Sequence, residues 1–199
     1  MEFSDAVRQR RMVRSFSGEP VPGPTLDRLL DNALRGPSAG NTGGWDAVVL
    51  EGRAQTSLFW EATTTSAWRE TSRRWPGLEK APVAVSLFAH PEAYAERYRE
   101  PDKEQSSLGR DDWPVPYWFV DAGFPVLLLL LGAVDAGLGA CFLGNFRGEP
   151  ALLAALGVPA DRRYLGTVLL GRPGGIDPPS ASLARGRRRA GEVVHRGHW

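Results

Sequence analysis

Apolar residues recur at helical spacing in several stretches of the chain and predict its helices. Residues 26–34 carry one apolar face, and Gly36-Pro37 ends that helix because a residue preceding proline is disfavoured in the helical region. Residues 117–136 are apolar on every side, so this long helix must be covered all round, either in the core or at a subunit interface. The other predicted helices cover residues 4–12, 55–75, 91–99 and 150–156, with Ser4 as the N-cap of the first.

Short apolar runs between these helices predict the strands. They cover residues 47–50, 82–89, 140–143 and 165–170. Helices outnumber strands and the two do not alternate strictly, which favours an α+β fold over a doubly wound parallel sheet. The chain has 199 residues, of which 42% are apolar, and shows no internal repeat, so we expect one domain over residues 1–199.

Composition and charge exclude several classes of function. The net charge of +1 gives no overall field for attracting nucleic acid or a membrane. The longest apolar stretch, between Asp121 and Asp135, is shorter than the ~20 residues that span a bilayer. The single cysteine, Cys141, cannot form a disulfide within the chain, and residues 1–5 do not resemble a secretory signal. We therefore expect a cytoplasmic protein that binds neither nucleic acid nor membranes.

Two segments carry the candidate chemistry. The loop at residues 35–45 is rich in small and turn-forming residues that leave the backbone open to a ligand. Upstream, Arg10, Arg11 and Arg14 could fork onto a phosphate, or could simply form the polar face of the first helix. Together the segments indicate a site for a flat, phosphorylated cofactor that acts on a small-molecule substrate.

Other motifs are weaker. Residues 36–40 fit the G-x-S-x-G pattern of serine hydrolases, but a helix precedes them and a strand follows, the reverse of a nucleophile elbow. Residues 137–139 open a dinucleotide fingerprint whose third glycine is missing, so they are interpreted as a helix end. His195 and His198 with Cys141 give only a weak metal pattern, and we predict no metal site.

Four segments, in order, resemble the nitroreductase family of FMN-dependent oxidoreductases. They are the arginine-rich opening at residues 10–16, the loop at 37–45, the strand and turn at 137–146, and the closing Arg185-Gly186-Arg187-Arg188 with Glu192-Val193-Val194. The resemblance implies a central mixed or antiparallel sheet flanked by helices. It also implies a homodimer, with residues 117–136 at the interface and a tail, residues 174–199, that lies on the partner subunit.

The resemblance also implies the roles of single residues. Arg10, Arg11 and Arg187 would hold the FMN phosphate, Arg14 would lie at the N1/O2 side of the flavin ring, and Arg185 would replace a family lysine. The backbone at Gly144 and Asn145 would face flavin N5. Contacts from the partner subunit would come from Pro37, Ser38, Ala39 and Asn41. Met12 replaces the usual small hydroxyl residue, and Gly43 replaces the usual glutamine.

The implied activity is ping-pong hydride transfer from NAD(P)H through FMN to a nitro, quinone or related electrophilic acceptor, with no catalytic side chain. Gly43, Trp113, Tyr117 and Trp118 are the predicted walls of the substrate pocket, beside the loop at residues 100–116. Two alternatives stay open. One is a flavin-dependent dehydrogenase or oxidase that acts on a biosynthetic intermediate, and the other is a degenerate member that binds without turnover.

Overall fold

One four-stranded antiparallel sheet organises the molecule. The structure is a computed structural model, and it describes residues 1–71, 75–106, 113–145 and 147–199. The strands are β1 (Trp45–Glu51), β2 (Val83–Ala89), β3 (Gly139–Leu143) and β4 (Arg163–Gly171), in the spatial order β1-β2-β4-β3. Each neighbouring pair is antiparallel, and β1 and β3 form the two edges. The predicted α+β class is confirmed.

Seven α-helices flank the sheet in the described part of the chain. They are α1 (Phe3–Gln9), α2 (Gly23–Ala33), α3 (Gly52–Thr63), α4 (Ser66–Thr71), α5 (Pro91–Arg97), α6 (Tyr117–Asp135) and α7 (Glu149–Ala155). Short 3₁₀ turns lie at Ala39–Asn41, Leu78–Lys80, Pro101–Ser106, Ala181–Arg185 and Ala190–Glu192. Apart from the two predictions corrected below, the predicted helices and strands are present with ends shifted by a few residues.

Both faces of the central strands are buried, which explains why β2 is apolar at nearly every position. Val83, Val85 and Leu87 face one core with α2 and α6, whereas Ala84 faces a second core with α3. The side chains of a strand alternate between the two faces, so one strand supplies both cores. The result is three layers, with the sheet in the middle and its functional surface confined to edges and strand ends.

Helix α6 is only half covered by its own chain. Ala122, Val126 and Leu129 are buried against the sheet and α2, while Val120 and Leu127 remain 44% and 48% exposed. By length and composition alone α6 could cross a membrane, but its packed face is that of a core helix. The all-round cover that the sequence predicts is therefore not supplied within one chain.

Two sequence predictions about helix ends are wrong. Ser4 does not cap α1, whose N-cap is Glu2, and the helix ends at Gln9 because Met12 instead forms a parallel bridge to Ala140. The helix predicted over residues 55–75 is broken after Thr63. At Thr64 the backbone is extended, and its hydroxyl donates to the carbonyl of Trp60 at 2.5 Å, which satisfies a C-terminal helix carbonyl.

The junction from α6 to β3 is a Schellman turn. Gly137 has a φ of 69°, its N–H donates to the Val134 carbonyl at 3.0 Å, and the Leu138 N–H donates to the Ala133 carbonyl at 2.7 Å. Such a turn favours glycine because a side chain at positive φ is strained. The interpretation of residues 137–139 as a helix end is thereby confirmed, and β3 starts directly beneath α6.

We predict that Gly137→Ala lowers the free energy of unfolding by about 1 kcal/mol, because alanine tolerates positive φ poorly. A Cβ at residue 137 would meet nothing within 4 Å, so no clash contributes to the loss. Gly137→Asn is the control, since asparagine adopts this conformation more readily. Urea unfolding measures both, and equal losses from the two variants would contradict the backbone explanation.

Candidate functional site

The arginine segment, residues 10–14, lies extended along the free edge of β3. Met12 bridges Ala140 in parallel, and the Val13 N–H donates to the Ala140 carbonyl at 2.9 Å. The close approach needs Gly139, because a Cβ there would lie 2.8 Å from the Val13 side chain. The segment therefore sets Arg10 near the start of β3 and Arg14 farther along it, on the side where the chain leaves β3 towards Asn145.

Two buried nitrogen atoms in this region have no hydrogen-bond partner within the described residues. They are Nη1 of Arg10 and Nδ2 of Asn145. A buried donor without an acceptor is costly, most of all when it carries charge. Both groups are donors, so they suit a ligand that offers oxygen acceptors, with an anionic one at Arg10. This is what a phosphorylated flavin would require of the residues predicted to hold it.

Arg11 and Arg14 are held together by Asp177, a residue that the sequence reasoning missed. Arg11 forms an ion pair with the Asp177 carboxylate, which also accepts the backbone N–H of Arg14 at 3.3 Å. The Arg14 guanidinium lies over the ring of Trp75, 4.9 Å from its centroid. Arg11 thus already has an internal anionic partner, whereas Nη1 of Arg10 has none among the described residues. The available signal was the single acid within the Gly/Pro-rich stretch that follows β4.

Met12 turns its side chain to the sheet edge. Its sulfur accepts the N–H of Phe142 at 3.4 Å, a weak hydrogen bond on an otherwise unpaired part of β3. The side chain also packs against both hydrophobic cores. Met12 therefore stabilises the β3 edge.

The loop at residues 37–43 has an unusual backbone. Gly40, Asn41 and Gly43 have φ values of 64°, 54° and 60°, and asparagine is one of the few other residues that tolerate this region. The Ser38 hydroxyl accepts the Gly43 N–H at 2.8 Å and closes the loop. Pro37 and Asn41 are exposed. The predicted loop is present, but the N–H groups of Ala39, Asn41, Thr42 and Gly43 already donate hydrogen bonds within the chain.

Three side chains from α5 and α6 hold that loop. Asp121, which is buried, accepts the Ala39 N–H and the Tyr94 hydroxyl through one carboxylate oxygen, each at 2.8 Å. Arg97 Nε donates to the Gly40 carbonyl at 2.8 Å. Burial and the bond to Asp121 raise the pKa of Tyr94 far above its usual range, so its hydroxyl remains a donor. The sequence reasoning did not identify any of these three residues.

The two halves of the predicted site do not meet within one chain. The loop leads into β1 at one edge of the sheet, whereas the arginine segment lies along β3 at the other edge. Three strand spacings separate these edges, about 14 Å. The two segments therefore lie apart within one chain, at opposite edges of the sheet.

The predicted substrate-pocket aromatics do come together. Trp113 has its ring centroid 5.8 Å from that of Tyr117, 6.4 Å from that of Trp118 and 4.7 Å from that of Tyr98. The cluster adjoins the 37–43 loop, because a Cβ on Gly40 would lie 2.8 Å from the Tyr98 ring. Residues 107–112 of the predicted neighbouring loop lie outside the described residues.

Asp177 is the tail residue that contacts the arginine segment, and the rest of the tail does not join the site within its own chain. Residues 181–199 are exposed throughout, including Arg185 and Arg187. His195 stacks on Trp199 with centroids 4.3 Å apart, and His198 is exposed. In the part of the chain that the structure describes, no group of three or more potential metal ligands occurs.

One cavity borders the arginine segment. It has a volume of about 200 Å³ and is lined by Arg11 and Val13 together with residues of the α6–β3 turn. A larger cavity, of about 260 Å³, lies between residues 18–21 and the start of α3, and none of the predicted site residues lines it. Size alone therefore does not identify the site, and the unpartnered donors are the better guide.

Comparison with known sequences agrees with this geometry. The model of the nitroreductase family matches residues 7–172, and the chain belongs to that family. A protein named NADH dehydrogenase from Thermus thermophilus is 31% identical over 204 residues, which cover 92% of each chain. A 4-nitrobenzoate reductase from a Nocardioides species is 27% identical over 85% of this chain and 79% of its own.

Solved structures confirm the fold. A nitroreductase family protein from Clostridium difficile 630 superposes with a TM-score of 0.75 at 16% identity, over 100% of both chains. A structure from Desulfovibrio desulfuricans, described as a nitroreductase in complex with FMN, has a TM-score of 0.71 and 22% identity, covering 100% of this chain and 98% of its own. At these identities the likeness shows the fold alone.

Cys141 is an inert core thiol, as its apolar strand predicts. It is 1% exposed, and burial raises its pKa to about 11 from an ordinary value of 9.0. The folded protein thus keeps a proton that the unfolded chain releases above that ordinary value. We predict that the free energy of unfolding falls between pH 9 and about 11 and that Cys141→Ala reduces this fall.

Urea unfolding of both proteins across that pH range measures the effect. Burial also raises the pKa of Tyr164, to about 12, but this residue is present in both proteins. The difference between their slopes of unfolding free energy against pH is therefore due to Cys141. Equal slopes would contradict the assignment.

Proposed function

We propose that this protein is an FMN-dependent oxidoreductase that uses NAD(P)H to reduce a nitro, quinone or related electrophilic small molecule. The observation that carries the proposal is Nη1 of Arg10, which is buried beside β3 and has no hydrogen-bond partner among the described residues. Family membership supports it, as do relatives named as an NADH dehydrogenase and a nitrobenzoate reductase. When bound, FMN would supply the hydride chemistry, so no side-chain nucleophile is needed.

The arginine segment would orient the cofactor. Arg10 would bind the phosphate, and Arg187 of the tail would assist it. Arg11 would contribute less, because Asp177 already neutralises it. Arg14 would place positive charge near the ring system, where it favours the reduced, anionic flavin, and Trp75 and Asp177 fix its position. Asn145 would offer its free Nδ2 and Gly144 its backbone at the same end.

We propose that the functional unit is a homodimer. The two halves of the site lie at opposite edges of one sheet, so Pro37, Ser38, Ala39 and Asn41 would reach the cofactor of the other subunit. The uncovered face of α6, with Phe119, Val120 and Leu127, supplies an apolar surface that a second copy would bury. The exposed tail, with Val193 and Val194, would lie on the partner in the same way.

The acceptor would enter beside the 37–43 loop. A Cβ at Gly43 would meet nothing within 4 Å, so the glycine leaves open space where relatives carry glutamine. The aromatic cluster of Trp113, Tyr117 and Trp118 would form an apolar wall that excludes water and stacks on a planar acceptor. This arrangement favours aromatic or quinonoid acceptors over small aliphatic ones.

The visible spectrum of the purified protein tests the proposal, before and after anaerobic addition of NADH or NADPH. We expect flavin absorption that bleaches with one of the two nucleotides. Bound flavin that neither nucleotide bleaches would instead support the dehydrogenase or oxidase alternative. A colourless protein that takes up no added FMN would refute the proposal and support the degenerate alternative.

We predict that Arg10→Gln raises the dissociation constant for FMN about 10- to 100-fold, because it removes a charge-assisted hydrogen bond to the phosphate. Arg8→Gln is the matched control, since Arg8 is an exposed arginine of the adjacent helix that pairs with Asp5. Titration of the apoprotein, followed by quenching of flavin fluorescence, measures both. If Arg10→Gln and the wild type bind FMN with equal affinity, Arg10 does not contact the phosphate.

We predict that Leu127→Asp converts the protein to a monomer and weakens FMN binding at the same time. The reason is that it places a charge on the apolar face of α6 that the dimer would bury. Leu58→Asp is the control, because Leu58 is 41% exposed on α3, on the opposite layer. Light scattering after size exclusion gives the mass, and a dimeric Leu127→Asp protein would contradict this interface.

A further inference from the structure

We propose that Asp121 is a positioning residue that fixes the 37–43 loop to helix α6 in the shape that meets the cofactor. This inference rests on the proposed function for its link to FMN. The link between Asp121 and the loop itself stands on the hydrogen bonds alone.

The position of Asp121 is unusual for an acid. It is 4% exposed and lies in a helix whose neighbouring residues are apolar, between Val120 and Ala122. A carboxylate in such surroundings is unfavourable unless it is fully hydrogen-bonded. Its recorded partners are the Ala39 N–H and the Tyr94 hydroxyl, each at 2.8 Å. Asp121 therefore binds the loop backbone and a fully buried tyrosine at once. Because it is nearly inaccessible to water, these hydrogen bonds take the place of its hydration.

The loop needs such an anchor because its backbone is not regular. Asn41 has a φ of 54°, which is unfavourable for a residue with a side chain, and the glycines Gly40 and Gly43 lose more conformational entropy than other residues when they are ordered. Two consecutive loop residues are hydrogen-bonded to side chains of α6 and α5. Asp121 accepts the Ala39 N–H, and Arg97 donates to the Gly40 carbonyl at 2.8 Å. Arg97 is itself fixed by a two-point ion pair with Asp102, at 2.7 Å for each bond. The chain itself therefore supplies the hydrogen bonds that hold the loop in this shape.

Asp121 also joins two parts of the proposed assembly. Its neighbours Phe119 and Val120 lie on the uncovered face of α6, while its carboxylate reaches inward to the loop. Packing of a second subunit on that face would hold the helix, and through Asp121 the loop. The loop in turn would present Ser38, Ala39 and Asn41 to the cofactor. Asp121 thereby acts on FMN through the loop and needs no contact with it.

The test compares Asp121→Leu, Asp121→Asn and Tyr94→Phe in the dimeric protein. Leucine removes the acceptor and leaves two buried donors unpaired. We therefore expect the dissociation constant for FMN to rise about tenfold or more. Asparagine keeps an oxygen that can accept the same donors, so we expect a change below about threefold. Tyr94→Phe removes one donor but keeps the Ala39 bond, so we expect an intermediate effect.

Ser86→Ala is the matched control for stability. Ser86 is 0% exposed and shares a 2.8 Å hydrogen bond with Thr167 inside the sheet, remote from the loop. We expect it to lower the melting temperature without changing FMN affinity. If it weakens FMN as much as Asp121→Leu does, loss of stability explains both variants and the inference is overturned.

Hydrogen–deuterium exchange of peptides covering residues 37–43, measured on the apoprotein, separates this inference from the proposed function. We expect faster exchange there in Asp121→Leu and near wild-type exchange in Asp121→Asn. Unchanged exchange in Asp121→Leu would overturn the anchor even if the wild type binds FMN normally. Faster exchange with unchanged FMN affinity would overturn the link to the cofactor.

Wild-type protein that binds no flavin would refute the proposed function, and the exchange result would still decide whether Asp121 anchors the loop. If Asp121→Leu does not fold, Tyr94→Phe supplies both measurements.

Discussion

The burial of both faces of the sheet is the constraint on which the rest of the structure depends. Because β2 and β4 are covered above and below, no ligand can reach the middle of the sheet, and binding groups are limited to its edges and strand ends. The chain uses both edges: the arginine segment pairs with β3, and the 37–43 loop leads into β1. Within one chain, this topology places the arginine segment and the 37–43 loop at opposite edges of the sheet. Helix α6 also has an apolar face that its own chain does not cover. In the proposed dimer, this face would bring the arginine segment of one copy close to the 37–43 loop of the other.

Each half-site is held by backbone geometry more than by side-chain bulk. On the β3 side, Gly139 lets Val13 approach the strand, and that approach sets the spacing of Arg10 and Arg14. On the β1 side, Gly40 and Gly43 permit the left-handed turns that close the loop on Ser38. Glycine serves in both places because the space or the φ value excludes a side chain.

Local patterns predicted most of the fold, and long-range pairing accounts for part of what they missed. The break after Thr63 is a local feature that the pattern also missed. The helical faces, the apolar strands and the stop at Gly137 depend on neighbours in sequence, and they were predictable. The end of α1 was not, because it depends on Met12 pairing with a strand far along the chain. For the site, the arginine segment and the loop were recognisable as motifs. Asp177 and Asp121 were not, because each acts across more than eighty residues and has no motif of its own. An acid isolated in an apolar helix was the one visible sign of Asp121, and a boundary between elements explained it equally well.

The departures from the family pattern have different physical consequences. In the proposed function, Met12 would give up a hydroxyl contact with the phosphate, and it gains a bond to Phe142 N–H and contacts with both cores that stabilise the β3 edge. Apart from that pattern, Asp177 neutralises Arg11 while it fixes Arg14. Met12 and Asp177 would thus both leave anion binding mainly to Arg10, the arginine whose buried nitrogen has no partner in the described part of the chain. Gly43 lies in the 37–43 loop, so its effect would fall on the acceptor. A chain that concentrates phosphate recognition in one arginine and enlarges the space over the loop would hold its cofactor less redundantly and admit a broader range of planar acceptors.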